Sequence, residues 1–353
     1  MPAAHRDPAL DALLHPFETG QLRWPDCCLF LRAREGAALH ARGLRGLAAT
    51  QPFRPEAERL QRLGVELLDE DALPAAAFPL VLVLPPRQRE EARALLARAC
   101  AAVAPGGAVV VAVANDEGAR SREADLKQLA GAVTTASKYH CRVSWTAPGA
   151  TFDAALQAQW AQADAPRTQP CADVPGGSFR TRPGVFAWDR VDAASAMLAA
   201  ALPADLSGRI ADFGAGWGYL SLQVLARCPK VAALDLFEAD ARALTLAEAN
   251  LAGPAQARGV PVRCHWHDVA AGVDGRFDAI VCNPPFHALG RGERPDLGRA
   301  FIAAAARALR PGGQLWLVAN RHLPYEEALG AGFGQVEAVA QQGGFKIVRA
   351  VKA

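Results

Sequence analysis

One pattern constrains this chain more than any other: an apolar strand that ends in two prolines occurs twice, each time followed by the same succession of elements. Phe78-Pro79-Leu80-Val81-Leu82-Val83-Leu84-Pro85-Pro86 is matched position for position by Phe277-Asp278-Ala279-Ile280-Val281-Cys282-Asn283-Pro284-Pro285. Each leads into an alanine-rich helical stretch, a Pro-Gly-Gly turn and a further apolar strand. Pro105-Gly106-Gly107 precedes residues 108–115 and Pro311-Gly312-Gly313 precedes residues 314–320, and both strands reach Ala-Asn. Strand-turn-helix units share punctuation, so one such coincidence means little. Three in the same order imply a duplicated domain, and strands alternating with helices imply an α/β fold. At 353 residues there is room for two domains, each with its own core. Pro166, Pro170, Pro175, Gly176 and Gly177 interrupt any periodicity between Ala163 and Phe179. The expected division is therefore a first domain over 1–165, a linker over 166–180 and a second domain over 181–353.

Composition removes several classes of function. With 51% hydrophobic and 21% charged residues the chain is globular rather than disordered. A net charge of +2 and a pI near 8.2 lack the strong footprint of a nucleic-acid binder, a pI above about 9, and do not exclude RNA. The cysteines at 27, 28, 100, 141, 171, 228, 264 and 282 form no Cys-x-x-Cys pair and no spacing that suits zinc or a disulfide framework. They read as reduced thiols, and no metal is expected. Residues 1–15 are charged throughout, and no run of 18 apolar residues occurs, so a cytoplasmic protein without membrane contact is expected.

The two halves differ in their chemistry. In the second, a short apolar strand over 209–213 runs into Asp212-Phe213-Gly214-Ala215-Gly216-Trp217-Gly218, and helical spacing follows over Tyr219–Arg227. Alternate glycines let the chain turn sharply and let a ligand approach the main chain at a helix N-terminus. A dinucleotide fingerprint needs Gly-x-Gly-x-x-Gly, but position 219 is tyrosine. The loop instead matches the Asp-x-Gly-x-Gly-x-Gly signature of the class I methyltransferases. A second strand over 231–237 ends at Glu238, where this kind of fold places a carboxylate able to hold both ribose hydroxyls of an adenosine. Asp235 and Asp240 are alternatives, since an acid there also suits the first turn of a helix. A third strand over 261–266 ends at His267-Asp268-Val269. Asp268 resembles the acid that accepts from the adenine amine in this superfamily, with the Val269 amide meeting the ring. His265 and His267 read as surface or packing residues.

Ligands of open α/β sheets bind beyond the carboxyl ends of the strands. That places Asn283-Pro284-Pro285-Phe286, after the fourth strand over 277–282, beside a cofactor at the glycine loop. An exocyclic amine conjugated to a purine is a poor nucleophile because its lone pair is delocalised. The Asn283 side-chain oxygen and the Pro284 carbonyl can accept its two hydrogens, which aims the lone pair at an activated methyl. Proline stiffens this turn and removes an amide donor. Phe286 offers a face on which a base can stack, worth about 1 to 3 kcal/mol. The first half has Leu84 and Arg87 at the matching positions, and residues 26–35 contain no glycine loop. It keeps the scaffold without the chemistry.

These residues resemble the bacterial ribosomal RNA guanine-N2 methyltransferases of the 16S (RsmC-like) and 23S (RlmG-like) type. The resemblance covers most of the chain. It rests on Pro183-Gly184-Val185-Phe186, on Asp212 to Gly218, on Asn283-Pro284-Pro285-Phe286-His287, on Val318-Ala319-Asn320-Arg321-His322-Leu323-Pro324-Tyr325 and on Phe345-Lys346-Ile347-Val348-Arg349-Ala350. In the first half, Ala114-Asn115-Asp116-Glu117-Gly118 and Asp125-Leu126-Lys127-Gln128-Leu129 belong to it as well. It implies two tandem Rossmann-like class I methyltransferase domains, each a seven-stranded mixed sheet with helices on both faces. The N-terminal domain would be degenerate, helping to bind RNA and to stabilise the second. The second alone would bind S-adenosylmethionine and release S-adenosylhomocysteine, without a metal. Asp212, Gly214, Gly216 and Gly218 would hold the methionine part, Glu238 the ribose, and Asn283 and Phe286 the guanine. Phe186 would close over the cofactor or else serve interdomain packing. Trp217 departs from the pattern, where a smaller residue is usual, and puts loop contacts in question. The implied substrate is 16S rRNA or the 30S subunit, or else 23S rRNA, and the expected state is a monomer. Arg291 and Arg294, in a loop longer than its N-terminal counterpart, suit phosphate contacts or plain solvation.

Two other readings keep part of this. Asn-Pro-Pro with an aromatic also presents adenine N6 or a protein glutamine N5 to the same cofactor. A non-catalytic RNA-binding assembly factor could retain the fold. The duplicated first half and Phe286 in place of tyrosine weigh against the first, and the intact glycine loop against the second.

Overall fold

In a computed structural model, which describes residues 7–285, 295–322 and 325–353, the chain divides into Met1–Ala165 and Pro166–Ala353. The first unit carries β1 (Cys28–Leu31), β2 (Leu47–Thr50), β3 (Glu66–Leu67), β4 (Phe78–Val83), β5 (Val103–Ala114), β6 (Thr134–Lys138) and β7 (Cys141–Trp145). They form one sheet in the order β3-β2-β1-β4-β5-β7-β6. The first five strands are parallel, and β7 and β6 join antiparallel.

The second unit opens with an antiparallel hairpin of β8 (Arg167–Pro170) and β9 (Ser178–Thr181). The stretch read from its prolines and glycines as a linker therefore carries paired backbone and falls inside the second unit. Its main sheet contains β10 (Ser207–Phe213), β11 (Lys230–Glu238), β12 (Val262–Trp266), β13 (Phe277–Cys282), β14 (Leu309–Asn320), β15 (Gln335–Gln342) and β16 (Phe345–Val351). Their order, β12-β11-β10-β13-β14-β16-β15, repeats that of the first unit strand for strand. The tandem seven-stranded mixed sheets are thus a true duplication.

Both faces of each sheet are buried, as a mainly parallel sheet requires. On β10 and β13, Ile210, Ala279 and Val281 enter one apolar cluster with Leu198, Leu220 and Leu244. Their neighbours Ala211, Phe213, Ile280 and Cys282 enter another with Phe301 and Ile302. Alternating residues thus anchor helices on opposite sides. The Pro-Gly-Gly segments are not turns ahead of their strands. They are bulges within β5 and β14, where pairing jumps from Phe78↔Val103 to Leu80↔Ala108 and from Phe277↔Leu309 to Ala279↔Gln314. Gly106 and Gly312 take φ of 82° and 75° there, a region closed to most side chains.

Register sets the site. Phe213 pairs with Phe237 on one side and Cys282 on the other. Gly214, Glu238 and Asn283, the next residues along each chain, therefore emerge side by side at the carboxyl ends of three adjacent strands. The chain order reverses between β10 and β13, the position at which open α/β sheets leave a ligand crevice.

Candidate functional site

The glycine loop is held by backbone. The Gly214 and Ala215 N–H groups donate to the Phe237 carbonyl at 2.9 and 3.2 Å, and the Gly216 N–H donates to Glu238 Oε2 at 2.8 Å. Gly218, at φ 95°, caps the helix Tyr219–Arg227, and a Cβ there would stand 3.2 Å from the Cβ of Ala247. Gly216 has a φ of 55°, and a Cβ on it would meet nothing within 4 Å. Trp217 lines the cleft beside the loop together with Gly214 and Gly216. It is buried and stacks on Phe179 at 4.1 Å and 18°, while Asn250 Nδ2 donates to its carbonyl at 2.8 Å. Asn250 also accepts from the Arg180 N–H at 2.7 Å, so it ties the loop to the hairpin.

The three candidate acids of the second strand separate by their partners. Asp235 is fully buried and bound by Arg209 at 2.7 and 2.8 Å and by His265 at 2.9 Å. Burial works to raise its pKa, but the Arg209 and His265 hydrogen bonds outweigh burial and hold the carboxyl below its usual range. Asp240 caps the following helix and pairs with Arg242 at 2.6 Å. Among the described residues Glu238 has no cationic partner; its carboxylate accepts main-chain N–H groups, from Gly216 and from Asp240 at 2.8 Å each and from Ala239. Burial raises its pKa. Glu238 is thus the acid poised against the loop, whereas Asp235 serves an ion network.

Asp212 is buried and accepts from the Ser221 N–H at 3.1 Å and Oγ at 2.8 Å, both through Oδ2. Its Oδ1 has no partner among the described residues. Burial pushes its pKa up to about 7. Asp268 caps the short turn Val269–Ala271 by accepting from the Ala270 N–H at 2.9 Å, and Val269 is buried beneath it. The His267 N–H donates to the Glu238 carbonyl at 3.0 Å, which sets Asp268 next to the end of β11. His265 stacks on Phe237 at 4.4 Å, and His267 Nε2 bonds the Gly272 carbonyl at 2.6 Å. Both are packing residues.

At the fourth strand, Asn283 is half-buried, Pro284 buried and Pro285 exposed. Phe286, Arg291 and Arg294 lie outside the described residues. The Asn283 Nδ2 donates to Asp192 Oδ2 at 3.0 Å and to Ser195 Oγ at 2.8 Å. Its Oδ1 has no partner among the described residues. Asn283, Asp192, Ser195, Gly214, Gly216 and Phe186 line a common cleft. Phe186 is 64% exposed there, and Ala187 beside it takes the left-handed φ of 50°. Sequence reasoning passed over Asp192 and Ser195. Their one local signal is an Asp three residues before a Ser at a helix start, which reads as an ordinary cap.

The glycine loop and the acids around it fit the proposed cofactor on three counts. Among the described residues, a buried carboxylate oxygen of Asp212 lacks a donor, Glu238 at the end of the second strand has no cation beside it, and Gly216 leaves open space where a side chain would sit. At the matching end of the first unit's sheet an arginine stands where the glycine loop begins in the second. Arg32 follows β1 as Gly214 follows β10, with a left-handed φ of 57°. Its guanidinium is bracketed by Glu70 at 2.6 and 2.8 Å and by Glu91 at 2.9 Å. Among the described residues no cluster of three or more His, Cys, Asp or Glu could hold a metal. No helix among them is long and apolar enough to cross a membrane.

The sequence model of the methyltransferase small domain matches residues 176–349. The chain is 33% identical to ribosomal RNA small subunit methyltransferase C of Salmonella paratyphi A (strain ATCC 9150 / SARB42) over 266 residues, 75% of this chain and 73% of that protein. The Salmonella typhimurium protein of the same name matches to the same extent. Among solved structures, a T. thermophilus 16S rRNA N2 methyltransferase in complex with AdoMet and guanosine superposes with a TM-score of 0.79 at 25% identity, covering 100% of this chain and 94% of that one.

Proposed function

The chain belongs to the ribosomal RNA small subunit methyltransferase C family, and we propose that it transfers the methyl group of S-adenosylmethionine to the exocyclic N2 of a guanine in 16S rRNA. The observation that carries this reading is the Asn283 amide, whose nitrogen is fully engaged and whose oxygen has no partner among the described residues, in a cleft shared with the glycine loop. S-adenosylmethionine supplies a methyl already activated on a sulfonium, so the protein contributes orientation and proximity.

Asp212 and the main chain of Gly214, Gly216 and Gly218 hold the methionine portion, Glu238 the ribose hydroxyls, and Asp268 with the Val269 amide the adenine. Asn283 Oδ1 and the Pro284 carbonyl accept the two N2 hydrogens of guanine and turn its lone pair toward the methyl. Phe286 stacks on the base. The first unit contributes RNA binding and not chemistry, because the arginine network around Arg32 occupies the end of its sheet. We take the protein to act in the cytoplasm as a monomer, on 16S rRNA free or within the 30S subunit. Incubation with labelled S-adenosylmethionine and, in separate reactions, 16S rRNA, 30S subunits, 23S rRNA, DNA and a release factor tests the acceptor. Label confined to 16S rRNA or 30S subunits is expected; label in a protein glutamine would overturn the reading.

A further inference from the structure

We infer that Asp192 and Ser195 are positioning residues for methyl transfer, locking the Asn283 side chain so that its oxygen, and not its nitrogen, is the atom left for the substrate amine. This rests on the proposed function, in which Asn283 accepts from guanine N2.

The two ends of a side-chain amide have nearly the same shape and opposite hydrogen-bonding character. Asn283 on a bare surface could present either. Here a carboxylate oxygen lies 3.0 Å from one end, and a carboxylate has no hydrogen to give, so that end is the NH2. Its second hydrogen goes to Ser195 Oγ at 2.8 Å. Reversing the amide would set two oxygens face to face with no proton between them and lose a charge-assisted bond, which is about twice as strong as a neutral one. With the NH2 spoken for, the oxygen is the group Asn283 offers to the cleft it lines with both partners. A reversed amide would donate to the guanine amine and compete with the methyl for its lone pair.

The partners are themselves held. Asp192 Oδ2 also accepts from the Ser195 N–H at 2.8 Å, as the cap of the helix Ala193–Ala201. One oxygen therefore fixes the helix start and the amide together, and couples an element before β10 to the turn after β13.

The capping function makes Asp192→Ala ambiguous, so the test uses Asp192→Ser and Asp192→Asn. Serine keeps a good N-cap, but its shorter side chain falls short of Asn283. Asparagine keeps both the cap and an acceptor oxygen. In single-turnover methylation of 16S rRNA, Asp192→Ser is expected to lower the rate about 10-fold to 100-fold, the worth of a charged hydrogen bond. The S-adenosylmethionine Kd should stay within about twofold by the same reasoning, since no cofactor contact is lost. Asp192→Asn should recover most of the rate, and Ser195→Thr should exceed Ser195→Ala. A second readout needs no activity. The ¹⁵N side-chain amide signals of Asn283, identified by their loss in Asn283→Ala, should be shifted and slowly exchanging in the unaltered protein and ordinary in Asp192→Ser. An Asp192→Ser rate equal to that of the unaltered protein, or unchanged amide signals, overturns the inference. Failure of the unaltered protein to methylate 16S rRNA would instead count against the proposed function, while the amide signals still decide the positioning.

Discussion

Asp212→Asn should make the cofactor-free protein more stable and the cofactor-bound protein harder to form. Burial lifts the Asp212 carboxyl from an ordinary 3.8 to about 7. At about 1.36 kcal/mol per pKa unit, ionising this group inside the fold costs on the order of 4 kcal/mol. The sign follows from the folded value lying above the unfolded one. The contribution to stability is fully present below pH 3.8 and is lost as pH rises through about 7. At pH 8 the folded protein therefore bears most of the cost. Asparagine keeps an oxygen for the two Ser221 bonds and sets a neutral NH2 where Oδ1 has no donor. Allowing about 1 to 3 kcal/mol for that NH2, a net gain of roughly 1 to 3 kcal/mol remains. At about 2 to 4 °C per kcal/mol for a unit of this size, Tm at pH 8 should rise by several degrees. The gain should vanish in a parallel scan near pH 5. Calorimetric titration of S-adenosylmethionine at pH 8 should show affinity reduced at least about tenfold, because a carboxylate facing a cationic group has become neutral. A lower Tm at pH 8 together with unaltered cofactor affinity would mean that Asp212 is an ordinary structural acid.

Other substitutions probe neighbouring parts of the site. Gly216→Ala meets no atom of the protein itself, so it should cost only the left-handed backbone, about 1 to 2 kcal/mol by thermal unfolding, yet weaken cofactor binding far more; equal effects on both would place the ligand elsewhere. Glu238→Gln should weaken S-adenosylmethionine by about tenfold with 16S rRNA binding unchanged, whereas Asp240→Asn should leave the cofactor Kd alone, both by titration calorimetry. Replacing Arg291 and Arg294 together by alanine should weaken rRNA binding and reduce the salt slope by about 1 to 2, with cofactor affinity constant; an unchanged salt titration would remove that loop from the RNA surface.

The sequence exposed what local chemistry spells out. Phe277–Cys282 and Tyr219–Arg227 stand at the bounds their apolar spacing marks, because a buried parallel strand and an amphipathic helix each follow from their own residues. The duplication was visible in the same way. The Pro-Gly-Gly bulges were not, since whether a left-handed glycine ends a strand or kinks one depends on the partner strand. The hairpin over 167–181 was hidden by the prolines and glycines that shape it. Among the acids, spacing alone could not divide Asp235 from Glu238; what divides them is Arg209, a cation 26 positions away in sequence. Asp192 and Ser195 were beyond reach for the same reason. They meet Asn283 across 91 and 88 positions, and a folded sheet is needed to bring them together.

The most direct measurement is mass-spectrometric mapping of the methylated nucleoside after 16S rRNA or 30S subunits are treated with S-adenosylmethionine and either the unaltered protein or Asn283→Ala. The expected result is N2-methylguanosine at one position with the unaltered protein, and none with Asn283→Ala, even though that variant still binds S-adenosylmethionine. Methyl on an adenine N6, or N2-methylguanosine formed at full rate by Asn283→Ala, would contradict the role assigned to the turn.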